Sequence, residues 1–358
     1  MQKLISHLLL LALAALVGPS SFAQSDDGSG LKTCVTLDLM GNFNAPRMTQ
    51  ATDRFDVRES ELLLYGPIDH LYDATLNLAA HGDSARPLFE LHEAYIGSSK
   101  LIPRSRFRLG QFFLGIGRLN HFHRHDWPVV TAPKSQLEFF GAEGAFDTGA
   151  EYTFLAPVPF FLELTGGVTN GWTYGHVHNA GTKPRVPTIY GRAATYTSLP
   201  GAGGMQTGIN YLTRKSGQGD TMTLNGVDLT AKWRSPDGSG FLLQSEIWHR
   251  QLVPAVGKLE RSLGFYVLPQ VSLSSQWHIG VLVDLFTVLT LKNITGEPTA
   301  NSEIRFVPTL TYKTSEFVSL RAALDWATAK QKGIDDRYNR SLLLQAAVNL
   351  GAHPAHEF

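Results

Sequence analysis

The stretch "LNHFHRHDWPVVTAP", residues 119–133, sets His121, His123 and His125 on alternate positions, ahead of a tryptophan and two prolines. Neutral imidazole is a common zinc ligand. Alternate residues of an extended segment project to one side, so two of the three could hold one ion. Structural zinc usually takes four ligands. The others would have to come from Asp126, or from His176 and His178 in the next long connection. Arg118 and Arg124 oppose this by placing positive charge beside the cation, and neither an HEXXH helix nor a cysteine ligand accompanies the histidines. The expectation is a polar loop tip braced by Trp127 and the prolines, with weak zinc binding at most and no resident cofactor.

A second group lies just upstream. Arg104, Arg106 and Arg108 share one parity, with Phe107 and Leu109 on the other. Guanidinium binds phosphate and carboxylate in bidentate fashion, so the row reads as an anion-attracting ladder. It reads equally as counter-charge for Asp73, Glu151, Glu163, Asp228, Asp284 and Asp325. Other cations of inward parity, Lys232, Arg305 and Arg321, are matched by acids, so charge counting gives no selectivity. No GxSxG and no Ser/His/Asp arrangement can be assigned, so no catalytic residue is expected and the chain does not read as an enzyme. "GGVTNG" (166–171) lacks the Lys-Ser/Thr end of a phosphate loop and reads as a strand end and turn.

The elements that position these residues are strands. "QWHIGVLVDLF" puts Trp277, Ile279, Val281, Val283 and Leu285 opposite His278, Gly280 and Asp284. "FVSLRAALDWAT", "LYDATLNLAA" and "NGVDLTAKW" repeat the alternation, the mark of strands with one apolar and one polar face. We read sixteen strands between residues 32 and 350. Each is about 10–12 residues long, the length a tilted strand needs to cross a bilayer. Tight connections such as "GPID", "APVP" and "SPDGS" alternate with longer ones, and the longest is 114–145. Short periplasmic turns, long external loops and an even strand number characterise bacterial outer-membrane barrels. The predicted fold is an all-β transmembrane antiparallel barrel. Closure is required, because an open edge in lipid leaves unpaired backbone groups.

Residues 1–23 read as a secretory signal peptide, with Lys3, the apolar run "LLLLALAALV" and "SFA" before the cleavage point. The barrel then occupies 24–358. Cys34 is the single cysteine, which excludes a disulfide scaffold. The net charge is zero, and with no basic stripe nucleic acid is not a partner.

The stretch "RFRLGQFFLGIGRLNHFHRHDWPVVTAP", flanked by "LHEAYI" (91–96) and "DTGAEYTFLAP" (147–157), resembles the phosphate-selective porin O/P superfamily. There an arginine-bearing strand ends in a "GQF…PFG"-like turn and enters a long loop; Gly115 stands where that turn usually has proline. The "HPAH" ending (353–356) is similar to that of porin-sized proteins labelled zinc-regulated TonB-dependent receptors. A true TonB-dependent transporter needs about 22 strands around a plug, which this chain cannot supply.

The resemblance and the pattern together imply an outer-membrane porin of a Gram-negative bacterium, open to small hydrophilic solutes, anions among them. Outer-membrane lipid surrounds it, and a homotrimer is the assembly suggested by analogy. Arg104, Arg106, Arg108, Asp228, Lys232, Asp284, Arg305, Arg321 and Asp325 are expected to line the pore. Gly115, Gly117, Arg118, Arg124 and Asp126 are expected in a constriction loop folded inward from the rim, the other placement being a loop packed over the outer mouth. The alternatives are a zinc-capturing outer-membrane protein that uses its histidine-rich loop, and a structural or adhesive barrel with a plugged lumen.

Overall fold

The computed structural model describes residues 30–44, 55–82, 88–171, 184, 186–257, 259–291, 301–331 and 334–354. The leader region, His176 and His178 lie outside them. The described chain forms sixteen antiparallel strands: β1 (Lys32–Asn44), β2 (Phe55–Pro67), β3 (Asp73–His81), β4 (Leu88–Ser98), β5 (Ser105–Phe113), β6 (Phe146–Leu155), β7 (Phe161–Thr169) and β8 (Thr188–Leu199) make the first half. The second half is β9 (Gly203–Lys215), β10 (Thr221–Arg234), β11 (Gly240–Val253), β12 (Glu260–Ser272), β13 (Trp277–Leu291), β14 (Asn301–Lys313), β15 (Val318–Gln331) and β16 (Ile334–Gly351). Each strand pairs with its sequence neighbours, and β1 closes on β16 from Cys34 opposite Gly351 to Asn44 opposite Ser341.

The period-two pattern explains the two faces. In β13, Trp277 and Ile279 are exposed to the outside, while His278, Leu282, Asp284 and Phe286 are buried within. Ile209, Val227, Ile247, Ile304 and Leu324 continue the exposed apolar band around the barrel. Aromatics cluster on it, with Trp277 against Tyr312 at 4.5 Å and Phe306 stacked on Trp326 at 5.7 Å between ring centroids. In water such a surface would be an aggregation liability; in a bilayer it is the solvent-matched face. No described helix is long and apolar enough to cross a membrane, so the strands do the crossing.

Two expectations about connections are corrected. β16 is eighteen residues long, against the 10–12 expected of each strand, and begins at Ile334, close behind the end of β15 at Gln331. The added length is the polar "DDRYN" segment, and Lys330 stands 3.7 Å from Asp336. Residues 335–338 of this added length are exposed. Arg104 does not belong to β5. It sits in the turn before it, exposed and in the left-handed region with φ 63°.

Candidate functional site: a loop folded into the lumen

Residues 114–145 leave β5 and return to β6 through a neck clasped by one side chain. The Leu114 amide donates to the Ala145 carbonyl at 2.9 Å. The buried Asn120 amide donates to the carbonyls of Leu114 (2.8 Å) and Ala145 (3.0 Å), and its oxygen accepts from the Ala145 amide at 2.6 Å. From this neck the loop enters the barrel. The Gly117 amide donates to Asn210 of β9 at 2.8 Å. Gly117 has φ 65°, and a Cβ there would come within 2.8 Å of Glu246 and Trp248. Only glycine satisfies both the left-handed conformation and the close approach.

Glu246 of β11 anchors the descending limb. One oxygen accepts the amides of Arg118 (2.9 Å) and Leu119 (2.7 Å) and the Tyr266 hydroxyl (3.0 Å); the other accepts the Trp248 indole at 2.7 Å. A buried carboxylate is costly unless hydrogen-bonded, and four donors meet that condition. Asp284 of β13 likewise accepts the Lys134 amide at 2.6 Å, at the start of α1 (Lys134–Phe140). Arg305 of β14 donates to the Ala132 carbonyl at 2.8 Å and pairs with Asp325 at 2.6 Å.

Apolar side chains complete the attachment. Leu114, Ile116, Phe139 and Phe140 of the loop pack with Tyr190, Leu212, Leu224 and Trp248 of the wall. Leu119, Trp127, Val129 and Val130 pack with Tyr266, Leu268, Leu282, Val307 and Leu343. The lumen of this barrel is thus a partly apolar interior, not a uniformly polar channel.

The sequence-predicted residues therefore fall into different classes. Arg106 is exposed to the lumen, and Lys232 and Arg321 are half-buried. Arg108, Asp228, Asp284, Arg305 and Asp325 also face inward, but not to open water. Arg108 binds Glu151 through Nε at 2.9 Å and lies over the Phe112 ring. Asp228 is buried against Arg192 and Asn210. A parity argument finds the face, and cannot tell that neighbours or the loop cover it. Arg118 is buried over Phe122, and burial together with Arg192 lowers its pKa to about 10.

The three histidines separate. Residues 119–121 and 124–126 are 3-10 turns, not one extended segment, so the expected common side is lost for one of them. His121 faces open lumen; enclosure by the barrel and then Arg192, Arg118, Arg108 and Arg106 hold it well below the usual imidazole range. His123 and His125 stack on each other, with ring centroids 5.7 Å apart. They meet carboxylates: His123 Nδ1 lies 3.1 Å from Glu61 and its Nε2 3.0 Å from Glu93, while His125 Nδ1 lies 3.1 Å from Glu61. Burial opposes their protonation, but Asp126 and Glu61 push His125 up to about 10.

These two belong to a larger, mostly buried cluster that sequence reasoning did not assemble. It adds Glu59 and Glu61 of β2, Asn77 and His81 of β3, His92 and Glu93 of β4, Glu143 of the loop and His353 of the C-terminal segment. Two β-bulges explain part of the convergence. Between β3 and β4 the register shifts so that Asn77 faces Glu93 and Leu78 faces Leu91, leaving His92 as the extra residue. Between β1 and β2 the shift leaves Arg58 unopposed. A bulge re-aims side chains, so His92 and Glu93, adjacent in sequence, both turn inward. Arg58 pairs with Asp38 and donates to the Val130 carbonyl of the loop at 2.8 Å. The equal parity of Glu59 and Glu61 is a further sequence signal that points here, beside His123 and His125.

No family model matches the sequence. An uncharacterized protein of Aquifex aeolicus (strain VF5) is 24% identical over 337 residues, which cover 85% of this chain and 70% of that one. Solved structures share the architecture: the outer membrane channel DcaP of Acinetobacter baumannii has a TM-score of 0.62 at 10% identity, over 91% of this chain and 99% of that one. The anion-selective porin from Comamonas acidovorans follows at 0.61 and 9%, over 89% and 99%. OmpT of Vibrio cholerae in a trimer form aligns at 0.60 and 8%, over 90% and 100%. The fold is that of the outer-membrane porins.

Proposed function

We propose that the protein is an outer-membrane channel of a Gram-negative bacterium, passing small hydrophilic solutes by diffusion through a lumen narrowed by residues 114–145. The observation that carries this reading is a closed sixteen-stranded barrel with charged groups inside and one long loop folded into it. Barrels of this strand number are wide enough for an aqueous channel. Its architectural relatives include a channel and an anion-selective porin.

Anions are the favoured solutes within this reading. Arg106 stands exposed in the lumen, Lys232 and Arg321 are half-open to it, and Lys232 has Arg118 and Arg234 as charged neighbours. Guanidinium and ammonium groups of one sign along a low-dielectric wall concentrate counter-ions. The resemblance of 106–133 to the phosphate-selective porin group points the same way. A homotrimer is the assembly we expect, by analogy with the trimer form of one relative.

Planar-bilayer recording of refolded protein in asymmetric salt tests the proposal. Discrete conductance steps with a reversal potential on the anion side are expected. Absence of conductance from correctly refolded barrel would favour a plugged structural barrel. A cation-side reversal potential would remove the anion assignment alone.

A further inference from the structure

The imidazole–carboxylate cluster has more structure than a diffusion channel requires. One ligand atom from each of Glu59, His81, His92 and Glu143 lies within 4.8 Å of the other three, and all four residues are buried. His81 Nδ1 is 2.9 Å from Glu143 Oε1, and His92 Nε2 is 3.1 Å from Glu143 Oε2. Glu59 Oε1 stands 3.9 Å from His81 Nδ1 and 3.8 Å from His92 Nδ1. Zinc–ligand bonds of about 2.0–2.2 Å place the ligands of a tetrahedral ion roughly 3.3 Å apart. The spread of 4.8 Å exceeds tetrahedral spacing by at most about 1.5 Å, a gap that side-chain rotation can close.

Hydrogen bonding alone does not account for the arrangement. Glu59 Oε1 and His92 Nδ1 make no hydrogen bond, although each residue is only 1% exposed. His92 Nε2 faces two groups at 3.1 Å, the His81 Nε2 nitrogen and the Glu143 carboxylate, and one proton cannot satisfy both. Buried polar atoms without partners are rare and call for a specific cause. Arg124, at 3.3 Å from Glu59 and 3.8 Å from Glu143, orients the carboxylates from the side and adds one opposing charge. Two carboxylates outweigh it.

We propose that Glu59, His81, His92 and Glu143 form a binding site for a divalent transition-metal ion of the zinc class. Two imidazoles and two carboxylates suit zinc and cobalt, whereas magnesium prefers an all-oxygen octahedral shell and keeps its waters. The site differs from the loop-tip hook that the sequence suggests, since three of its four ligands come from the barrel wall. It does not depend on the channel reading.

The surrounding imidazoles form a continuous file. From His81 the imidazoles run through His92, His123 and His125 to His353, with successive centroids 5.1, 5.8, 5.7 and 5.7 Å apart. Three further ligand groups lie along this file: Glu61 with His92 and His123, Glu59 and Glu61 with His125, and His125 with Asp126 and His353. His353 and His123 keep 18% and 14% of their side chains exposed. Candidate ligands thus run without a break from the buried four to the partly exposed His353.

Calorimetry on refolded, chelator-treated full-length chain in detergent tests the site, with zinc chloride as ligand and magnesium chloride as control. Zinc should bind at least about a hundredfold tighter than magnesium, and cobalt should give the intense visible absorption of four-coordinate geometry. His92→Gln and Glu143→Gln should each weaken zinc binding about tenfold or more, while His121→Ala leaves it unchanged. Heat-modifiable gel migration reports folding of each variant. If His92→Gln fails to fold, Glu143→Gln, a change in the loop, decides the matter. Zinc binding no tighter than magnesium, or unaltered in the folded ligand variants, overturns the proposal. Loss of binding in His121→Ala would move the site to the loop tip and overturn it equally. Because the measurement needs no bilayer, zinc binding without conductance would sink the channel reading alone.

Discussion

The loop packs against two sides of the lumen that are built from opposite materials. Toward β8–β16 the contact is apolar, with Trp248, Leu212, Leu268 and Val307 meeting Phe140, Ile116 and Trp127, and isolated carboxylates capping loop amides. Toward β2–β4 the contact is ionic, with imidazoles and carboxylates interleaved. On the apolar side every buried methylene is stabilising without any added partner. On the ionic side the buried groups are imidazoles and carboxylates, and burying these is costly unless each finds a partner, as Glu59 Oε1 and His92 Nδ1 do not. Fixing the loop is the work of the first side; the second is free to be specialised for a ligand.

The most severe test of this division removes the loop. Replacing residues 118–140 with a short Gly/Ser linker should leave a heat-modifiable barrel and raise single-channel conductance severalfold, because the wall of a sixteen-stranded barrel alone encloses an aqueous lumen. Conductance equal to that of the full chain would mean that the loop does not limit flow.

A single substitution should loosen the apolar side. Trp248 is 1% exposed, packs edge-on against Phe140 at 4.8 Å and donates to Glu246. Trp248→Ala should cost about 3–5 kcal/mol by lost burial and the cavity left behind. Limited proteolysis should cut between 114 and 145 in this variant at protease levels that spare the parent. Equal resistance would shift the anchoring role to the ionic side.

The strands were legible because their signal is local. Side-chain alternation in "QWHIGVLVDLF" or "NGVDLTAKW" reports a face without knowledge of any partner, and sixteen strands emerge in place. The loop's contacts were not legible. Glu246 meets Arg118 across 128 positions, and His353 meets His125 across 228, separations at which no periodicity speaks. Period two also misleads at the bulge, where it sends His92 and Glu93 to opposite faces while the register shift turns both inward. The motif singled out for metal held two members of the real cluster, His123 and His125, and one outsider, His121.

Glu246 offers a milder probe of the same seam. Glu246→Gln keeps the shape but exchanges one acceptor oxygen for an amide donor, among groups that only donate: two loop amides and the Trp248 indole. A buried donor left unsatisfied costs about 1–3 kcal/mol. The expected outcome is a modest rise in protease sensitivity of the loop, smaller than for Trp248→Ala, with channel conductance noisier but not larger. A variant as resistant as the parent would show that the apolar contacts suffice without the cap.

The smallest effect is expected where the wall meets water. Arg106 and Arg108 have the same parity, and a double alanine variant would confuse two roles. Arg108 is held by Glu151, which also accepts the Gly115 amide at 2.9 Å and the Tyr190 hydroxyl at 2.7 Å. Removing Arg108 would strand that carboxylate at the root of the loop, and any change in selectivity would be mixed with a change in loop position. Arg106 is exposed, so Arg106→Ala deletes one lumenal charge and little packing. Exposed charges act through water and are screened within about 10 Å at 0.1 M salt. The variant should therefore shift the reversal potential by a few millivolts toward cations at low salt, with the shift fading as salt is raised. A shift that persists at 1 M salt, where screening acts within about 3 Å, would place Arg106 in direct contact with permeating ions.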